Sequence, residues 1–205
     1  MPLNRHFAAA LGLAALLTAC NSDPSPAAPA PGGQRASAVF AGGCFWCTES
    51  DFDKMPGVIS TVSGYTGGRL PNPTYEQVSA GGTGHIEAVR VTYDPTKTSY
   101  AELALRFMRT IDPLDSGGSF CDRGYQYRSA FFVANTQQKR IAEAAKARTA
   151  QQLNKPVATL ILPASTFTPA EDYHQEYYKK NPIRYRFYRS SCGRDARLAE
   201  VWGGK

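Results

Sequence analysis

Residues 21–37, NSDPSPAAPAPGGQRAS, contain no aromatic and no branched aliphatic side chain. Such a stretch has little to bury and does not offset the entropy of ordering itself. It reads as an extended Pro/Ala/Gly-rich linker. Whatever can build a packed core therefore lies in residues 38–205, a length suited to one domain. No internal repeat is visible there.

Ahead of the linker, residues 1–20 read MPLNRHFAAALGLAALLTAC. A positive start at Arg5 leads into an apolar run from Phe7 to Thr18. The run is short for a membrane span and has the layout of an export signal. Leu17-Thr18-Ala19-Cys20 resembles a bacterial lipobox, with Cys20 as the lipidated residue. An ordinary signal cut after Ala19 is the alternative. The expectation is an exported lipoprotein, membrane-anchored and facing the periplasm or cell exterior. The net charge of +6 gathers at the end of the chain, where Lys179, Lys180, Arg184, Arg186, Arg189, Arg194 and Arg197 alternate with tyrosines and phenylalanine. An exported protein rarely meets nucleic acid, so no such partner is expected. A solvated face, or adhesion to an anionic membrane surface, fits better.

Along residues 38–205, Ala38 to Phe40 read as the end of a strand and Gly42-Gly43 as a sharp turn. Cys44 to Met55 suit a helix, stopped by Pro56-Gly57. Strands are expected at 58–65, 85–93, 129–134 and 157–162, and helices at 100–110, 137–153 and 170–180, the last being the final one. Ser99 is placed to cap the helix at 100–110. This mixture predicts an α+β (mixed α/β) single domain. Two Gly- or Pro-rich loops, 63–84 and 112–127, are too long to be idle connectors, so they are functional-site candidates.

Apart from Cys20, the cysteines are Cys44, Cys47, Cys121 and Cys192. A tetrahedral zinc site usually needs two CxxC pairs. One pair and two isolated cysteines do not supply it, so no metal is expected. Structural disulfides are a second possibility in an oxidising compartment. The context of Cys44 favours a third, a reactive thiol. At the first turn of a helix it would face unpaired N–H groups and the positive end of the dipole, which favour thiolate. Gly42 and Gly43 would leave the approach open. Cys47 follows three residues on, on the same face, with Cα atoms ~5–6 Å apart, a distance a disulfide tolerates. Phe45 and Trp46 would be core residues or an aromatic wall suited to a sulfur-containing group.

Glu87 shares a strand face with Val89, Val91 and Tyr93. If that face is buried, the carboxyl stays protonated near neutral pH and can act as a general acid; an exposed face is the alternative. Taken singly, Tyr75 and Tyr127 read as packing residues, Asp122 as a turn former, His174 as a surface or capping group, and Cys121 as an inert thiol.

The segments GCFWCTE, SGYTGG, NPTYEQV, GTGHIEAVRVTYDP, DRGYQYRS and AEDYHQEYYKKNP occur in this order. Together they resemble the A-type peptide-methionine sulfoxide reductases from about Ala38 to Gly203. The resemblance implies a domain built around a mixed, largely antiparallel sheet with flanking helices. It implies that Cys44 is the nucleophile and that Phe45 and Trp46 hold the substrate's methyl group. Glu87 would protonate the sulfoxide oxygen, Tyr75 and Tyr127 would donate to it, and Asp122 would organise the site. Methionine S-sulfoxide, free or in proteins, would be reduced while Cys44 becomes a sulfenic acid. A second thiol would then form a disulfide that a thioredoxin-like reductant reopens, with no cofactor and with the enzyme acting as a monomer. Many relatives have glycine at the position of Cys47 and use cysteines of a flexible C-terminal tail. Cys47 is favoured here as resolving thiol because it needs no tail motion, with Cys192 and then Cys121 as alternatives. Two other readings stay open: a CxxC thiol-disulfide oxidoreductase, and a non-enzymatic lipoprotein.

Overall fold

The computed structural model describes Met1 and residues 33–203. Beyond Met1, the expected export signal with Cys20 and residues 21–32 of the expected linker lie outside the described residues. From Gly33 onward the chain forms one compact unit. Its centre is a six-stranded sheet in the order β7-β6-β1-β3-β2-β8. The strands are β1 (Ala36–Ala41), β2 (Val58–Thr66), β3 (Ile86–Tyr93), β6 (Ala130–Val133), β7 (Leu160–Pro163) and β8 (Thr168–Pro169). All neighbours are antiparallel except β6 and β7. That parallel pair is joined by the long helix α4 (Thr136–Leu153), the crossover a parallel connection requires. The expected α+β, largely antiparallel sheet is thus observed.

Helix α1 (Phe45–Phe52), α3 (Tyr100–Arg109) and α4 contribute side chains to one core with a single face of the sheet. Phe40 of β1 is its hub. Its ring lies 4.8 Å from Phe52, 5.2 Å from Phe107, 5.7 Å from Tyr100 and 5.9 Å from Phe131. Truncating such a residue to alanine costs about 3–5 kcal/mol. The opposite face carries a smaller cluster around Ile86, Ala88 and Phe132. Helix α3 starts in a capping box, where Ser99 Oγ accepts from the Glu102 N–H and the Glu102 carboxylate accepts from the Ser99 N–H.

The sequence expectation fails in two places. The loop at 112–127 holds a two-residue hairpin, β4 (Gly118–Ser119) with β5 (Asp122–Arg123), and a 3-10 turn at Tyr125–Tyr127. The expected final helix at 170–180 is mostly turns. Thr168-Pro169 pairs with β2 instead of opening a helix. Helix α5 (Tyr177–Lys180) is short, and two unexpected helices follow, α6 (Pro182–Ser191) and α7 (Arg194–Trp202). The basic end is therefore not one solvated face. Lys179 pairs with Asp53, Arg189 with Asp51 and Asp195, and Arg197 with Asp112, while Arg194 is buried. Arg184, Arg186 and Phe187 stay exposed. No helix among the described residues is long and apolar enough to cross a membrane.

Candidate active site

Strand β1 ends at Ala41 and the chain turns through Gly42 and Gly43 into α1. Gly43 sits at φ +84°, and a Cβ there would lie 2.4 Å from the Ser119 Cβ. A Cβ on Gly42 would lie 2.7 Å from Thr48 Oγ1. The two glycines do not open an approach, as their sequence suggested. They let the β4–β5 hairpin and α1 close against the turn, and Ser119 Oγ donates to the Gly42 carbonyl.

Cys44 is the N-cap of α1, and its carbonyl accepts from the Cys47 and Thr48 N–H groups, both at 3.2 Å. The side chain is 7% exposed. Burial pushes its thiol well above the ordinary range, helped by the hydrogen bond to Cys47 and the charges of Cys47 and Glu87; a hydrogen bond from Tyr188 opposes the shift weakly. The expected resting thiolate at position 44 is therefore corrected: the helix terminus is outweighed by desolvation. Cys47 moves the other way, down to about 7. The Cys44 thiol donates to it, and the Arg194 and Arg189 charges add to this, together overcoming burial. Burial and the hydrogen bond to Cys47 hold Cys44 as thiol, and Cys47 is the thiol of the pair that ionises more readily.

Glu87 is 2% exposed, on the face of β3 that Val89, Val91 and Tyr93 turn to the main core. Its Oε2 accepts from the Phe45 N–H at 2.9 Å, directly beside Cys44. Burial raises it to about 8 against that hydrogen bond, and the charges of Asp122 and Cys47 push the same way. A protonated carboxyl next to a thiol at neutral pH follows.

Tyr75 opens the short helix α2 (Tyr75–Ser79), and Tyr127 ends the 3-10 turn. Their hydroxyls are within hydrogen-bonding reach of each other, and both feel Glu87, Asp122 and Cys44. Burial raises Tyr75 to about 12 and Tyr127 higher, so both remain donors. The Tyr188 hydroxyl donates to Asp122 Oδ2 and also contacts Cys44. Phe45 is buried under Tyr65, Tyr75 and His174. Trp46 is half-buried. Its Nε1 donates to His174 Nδ1 at 2.9 Å, and its ring stacks on Tyr177 at 3.8 Å and 7°.

The structure thus brings together Cys44, Cys47, Glu87, Tyr75, Tyr127, Asp122, Phe45 and Trp46. It does not leave Cys192 free to meet Cys44. Cys192 is bonded to Cys121, with Cα atoms 5.0 Å apart, while Cys44 and Cys47 are free. This removes Cys192 and Cys121 as available resolving thiols in this state and shows Cys121 not to be a free thiol. Cys192 also lies at the end of α6, in no flexible tail. The only cluster with metal-ligand spacing among the described residues is Cys121, Asp122 and Cys192. Its two sulfurs are bonded to each other, so it lacks thiolates to offer.

Four site residues escaped the sequence reading. Tyr188 links Asp122 to Cys44. His174 is buried, not superficial; burial lowers its pKa, keeping Nδ1 free to accept from Trp46. Glu171 accepts from the Tyr65 hydroxyl at 2.8 Å and from the Tyr75 N–H at 2.9 Å, which fixes the start of α2. Glu49, fully buried, accepts from the Glu176 N–H at 2.9 Å. All but Tyr188 lie in GCFWCTE or AEDYHQEYY, segments already singled out.

Residues 36–205 match the Peptide methionine sulfoxide reductase family. The chain belongs to that family. It is 53% identical over 181 residues to "Peptide methionine sulfoxide reductase MsrA 2" of Caulobacter vibrioides, covering 88% of this chain and 91% of that protein. To the protein of that name in Rhizobium meliloti it is 49% identical, covering 86% and 88%. Among solved structures, reduced Mxr1 from Saccharomyces cerevisiae superposes with a TM-score of 0.69 at 31% identity, over 73% of this chain and 87% of that one. The same yeast protein in complex with Trx2 gives 0.51 at 23% identity, a likeness of fold. As a member of the peptide methionine sulfoxide reductases, the chain is an enzyme that reduces methionine S-sulfoxide and so repairs oxidised protein.

Proposed function

We propose that this enzyme works through Cys44 as nucleophile, Glu87 as general acid and Cys47 as resolving thiol. The hydrogen bond between Glu87 and the Phe45 N–H carries the reading, because it fixes a protonated carboxyl beside Cys44. In the first step the Cys44 proton passes to Cys47 along their hydrogen bond. The Cys44 sulfur attacks the sulfoxide sulfur, and Glu87 hands its proton to the oxygen, with Tyr75 and Tyr127 donating hydrogen bonds to it. Methionine departs; Cys44 is left as sulfenic acid and Glu87 as carboxylate. Asp122 and Tyr188 orient the site, while Phe45 and Trp46 receive the methyl group. Cys47 then displaces hydroxide from the Cys44 sulfenic sulfur, giving a disulfide and, after protonation, water. No cofactor enters this sequence.

A thioredoxin-like reductant reopens the disulfide by exchange; the yeast relative's complex with Trx2 supports a partner of this class. The N-terminal pattern ending in Leu17-Thr18-Ala19-Cys20 supports export and a lipid anchor on Cys20, with residues 21–37 as spacer and 38–205 as catalytic domain. Mass spectrometry of the mature N-terminus tests that anchor: a diacylglyceryl-modified Cys20 is expected, and an unmodified residue 20 contradicts it.

The reaction is tested with a racemic methyl sulfoxide and dithiothreitol. Consumption should stop at one half, and Cys44→Ser should abolish it. A thiol-disulfide oxidoreductase would reduce disulfides and leave the sulfoxide untouched. Well-folded protein that consumes no sulfoxide removes the proposal.

A further inference from the structure

Arg194 lies at the start of α7, two residues after the Cys192 bridgehead, and its side chain is 2% exposed. Its Nη1 donates to the Gly42 carbonyl at 3.2 Å, at the foot of the Cys44 turn, and its Nη2 donates to the Thr110 carbonyl at 2.7 Å, at the end of α3. The plane of the guanidinium covers the Phe120 ring at 4.4 Å. Two carbonyls and a ring fix this cation and leave its charge unneutralised. Among the described residues its one ion pair is with Asp51, 3.5 Å from Nη2, and its charge also reaches Asp122 and Asp195.

Asp51 stands one turn after Cys47 on α1, so the two share a helix face. Asp51 also accepts from Arg189 Nη1 at 2.9 Å. The second carboxylate of Arg189, Asp195, is largely exposed and screened by water. Two guanidinium charges thus meet one buried carboxylate next to Cys47. Burying a cation this incompletely paired is expensive, and helix-to-helix packing alone does not require it.

We propose that Arg194 is a positioning residue for the resolving step: anchored on the Gly42 and Thr110 carbonyls, it supplies, with Arg189, the positive charge that lets Cys47 carry the negative charge of the thiol pair. This rests on Cys47 being the resolving thiol. The step it serves is attack of the Cys47 thiolate on the Cys44 sulfenic sulfur. An S–S bond forms, the S–O bond breaks, and hydroxide leaves and is protonated to water. Cys47 is oxidised as Cys44 is reduced from the sulfenic level. Other groups acting on this pair are Glu87 from β3, Tyr185 and Tyr188 from α6, and Asp51 and Cys44 on its own segment. Asp51 opposes a negative charge there, so the two arginines are the cations that sustain it.

The test is the iodoacetamide alkylation rate of Cys47 against pH, read peptide by peptide in the full-length reduced enzyme. The wild-type midpoint is expected near pH 7. Arg194→Met should raise it by at least one pH unit, slowing alkylation at pH 7 by about fivefold or more, and Arg194→Lys should restore most of the rate. Asp51→Asn removes the anion and should move the midpoint down, which keeps the test alive if Arg194→Met does not fold. A midpoint unmoved in folded Arg194→Met, or raised in Asp51→Asn, overturns the proposal. Failure of the resolving role shows separately: Cys47→Ser would form an enzyme disulfide at the wild-type rate while the midpoint shifts persist.

Discussion

The Cys44 sulfur shows two rules of residue chemistry in competition. A helix N-terminus stabilises a negative charge by ~0.3–1 kcal/mol in ordinary settings. Full burial can raise a thiol by up to about 3–5 pKa units, each worth about 1.4 kcal/mol. Burial wins, so the thiolate is made when it is needed, through Cys47, and is not stored on Cys44. Glu87 is the same physics put to use. Its raised value of about 8 keeps the acid form present below that pH and depletes it above. Activity should therefore fall as pH rises through about 8. Glu87→Gln should lower the turnover number by ~10²–10⁴-fold and lose that alkaline limb; an unchanged rate at pH 7 rules out the general-acid role. Glu87 was legible in the sequence because strand alternation put it among Val89, Val91 and Tyr93. The protonation of Cys44 was not, since it depends on what covers the sulfur. The roles of His174 and Glu171 were equally hidden: each binds a partner roughly a hundred positions away.

At the scale of elements, the turn between β1 and α1 is the most exacting piece. Gly43 combines φ +84° with the contact to Ser119. Gly43→Ala should cost at least about 1–3 kcal/mol and should displace the β4–β5 hairpin that carries Asp122. A lowered melting temperature together with a lowered turnover number is expected; no change in either contradicts the packing argument. Helix α1 also holds α5 in place, through Glu49 and the Glu176 N–H. Burial first, then the Asp53 charge, raises Glu49 from the ordinary 4.5 to about 7. The folded state thus binds the extra proton between those values. Its contribution to stability is full below about 4.5 and is lost as pH rises through about 7. Glu49→Gln keeps the acceptor and removes the titration. Melting temperatures at pH 5 and pH 8 should lie closer together in the variant than in the wild type; an equal spread contradicts the assignment. Strands β2 and β3 and helices α3 and α4 were readable because their periodicity and caps agree. The two-residue strands β4, β5 and β8 carry no periodicity to read. Helix α6 was missed because arginines and tyrosines alternate in it without a clean apolar stripe, and α7 because its arginines, Arg194 and Arg197, are held by Asp51 and Asp112 on distant elements.

For the whole molecule, the Cys121–Cys192 bond closes a span of 71 residues and fastens α6 to the β4–β5 hairpin. Bridges of this kind typically stabilise by ~2–4 kcal/mol. Cys121→Ser with Cys192→Ser should lower the melting temperature by about 5–15 °C yet leave one methionine formed per enzyme in the absence of reductant. Loss of that first turnover would mean that the bridge takes part in the chemistry. The chain offered the cysteines but not their pairing, because residues 121 and 192 meet only once the C-terminal helices are folded.

The division of labour among the four thiols is the centre of the account, and one measurement reaches it directly. The reduced enzyme is allowed a single turnover with methionine S-sulfoxide, with the Cys121–Cys192 bond retained, and the non-reduced peptides are mapped by mass spectrometry. One new Cys44–Cys47 disulfide is expected, with Cys121–Cys192 unchanged and no methionine formed by Cys44→Ser. A disulfide joining Cys44 to Cys192 or Cys121, or methionine formed without Cys44, contradicts it.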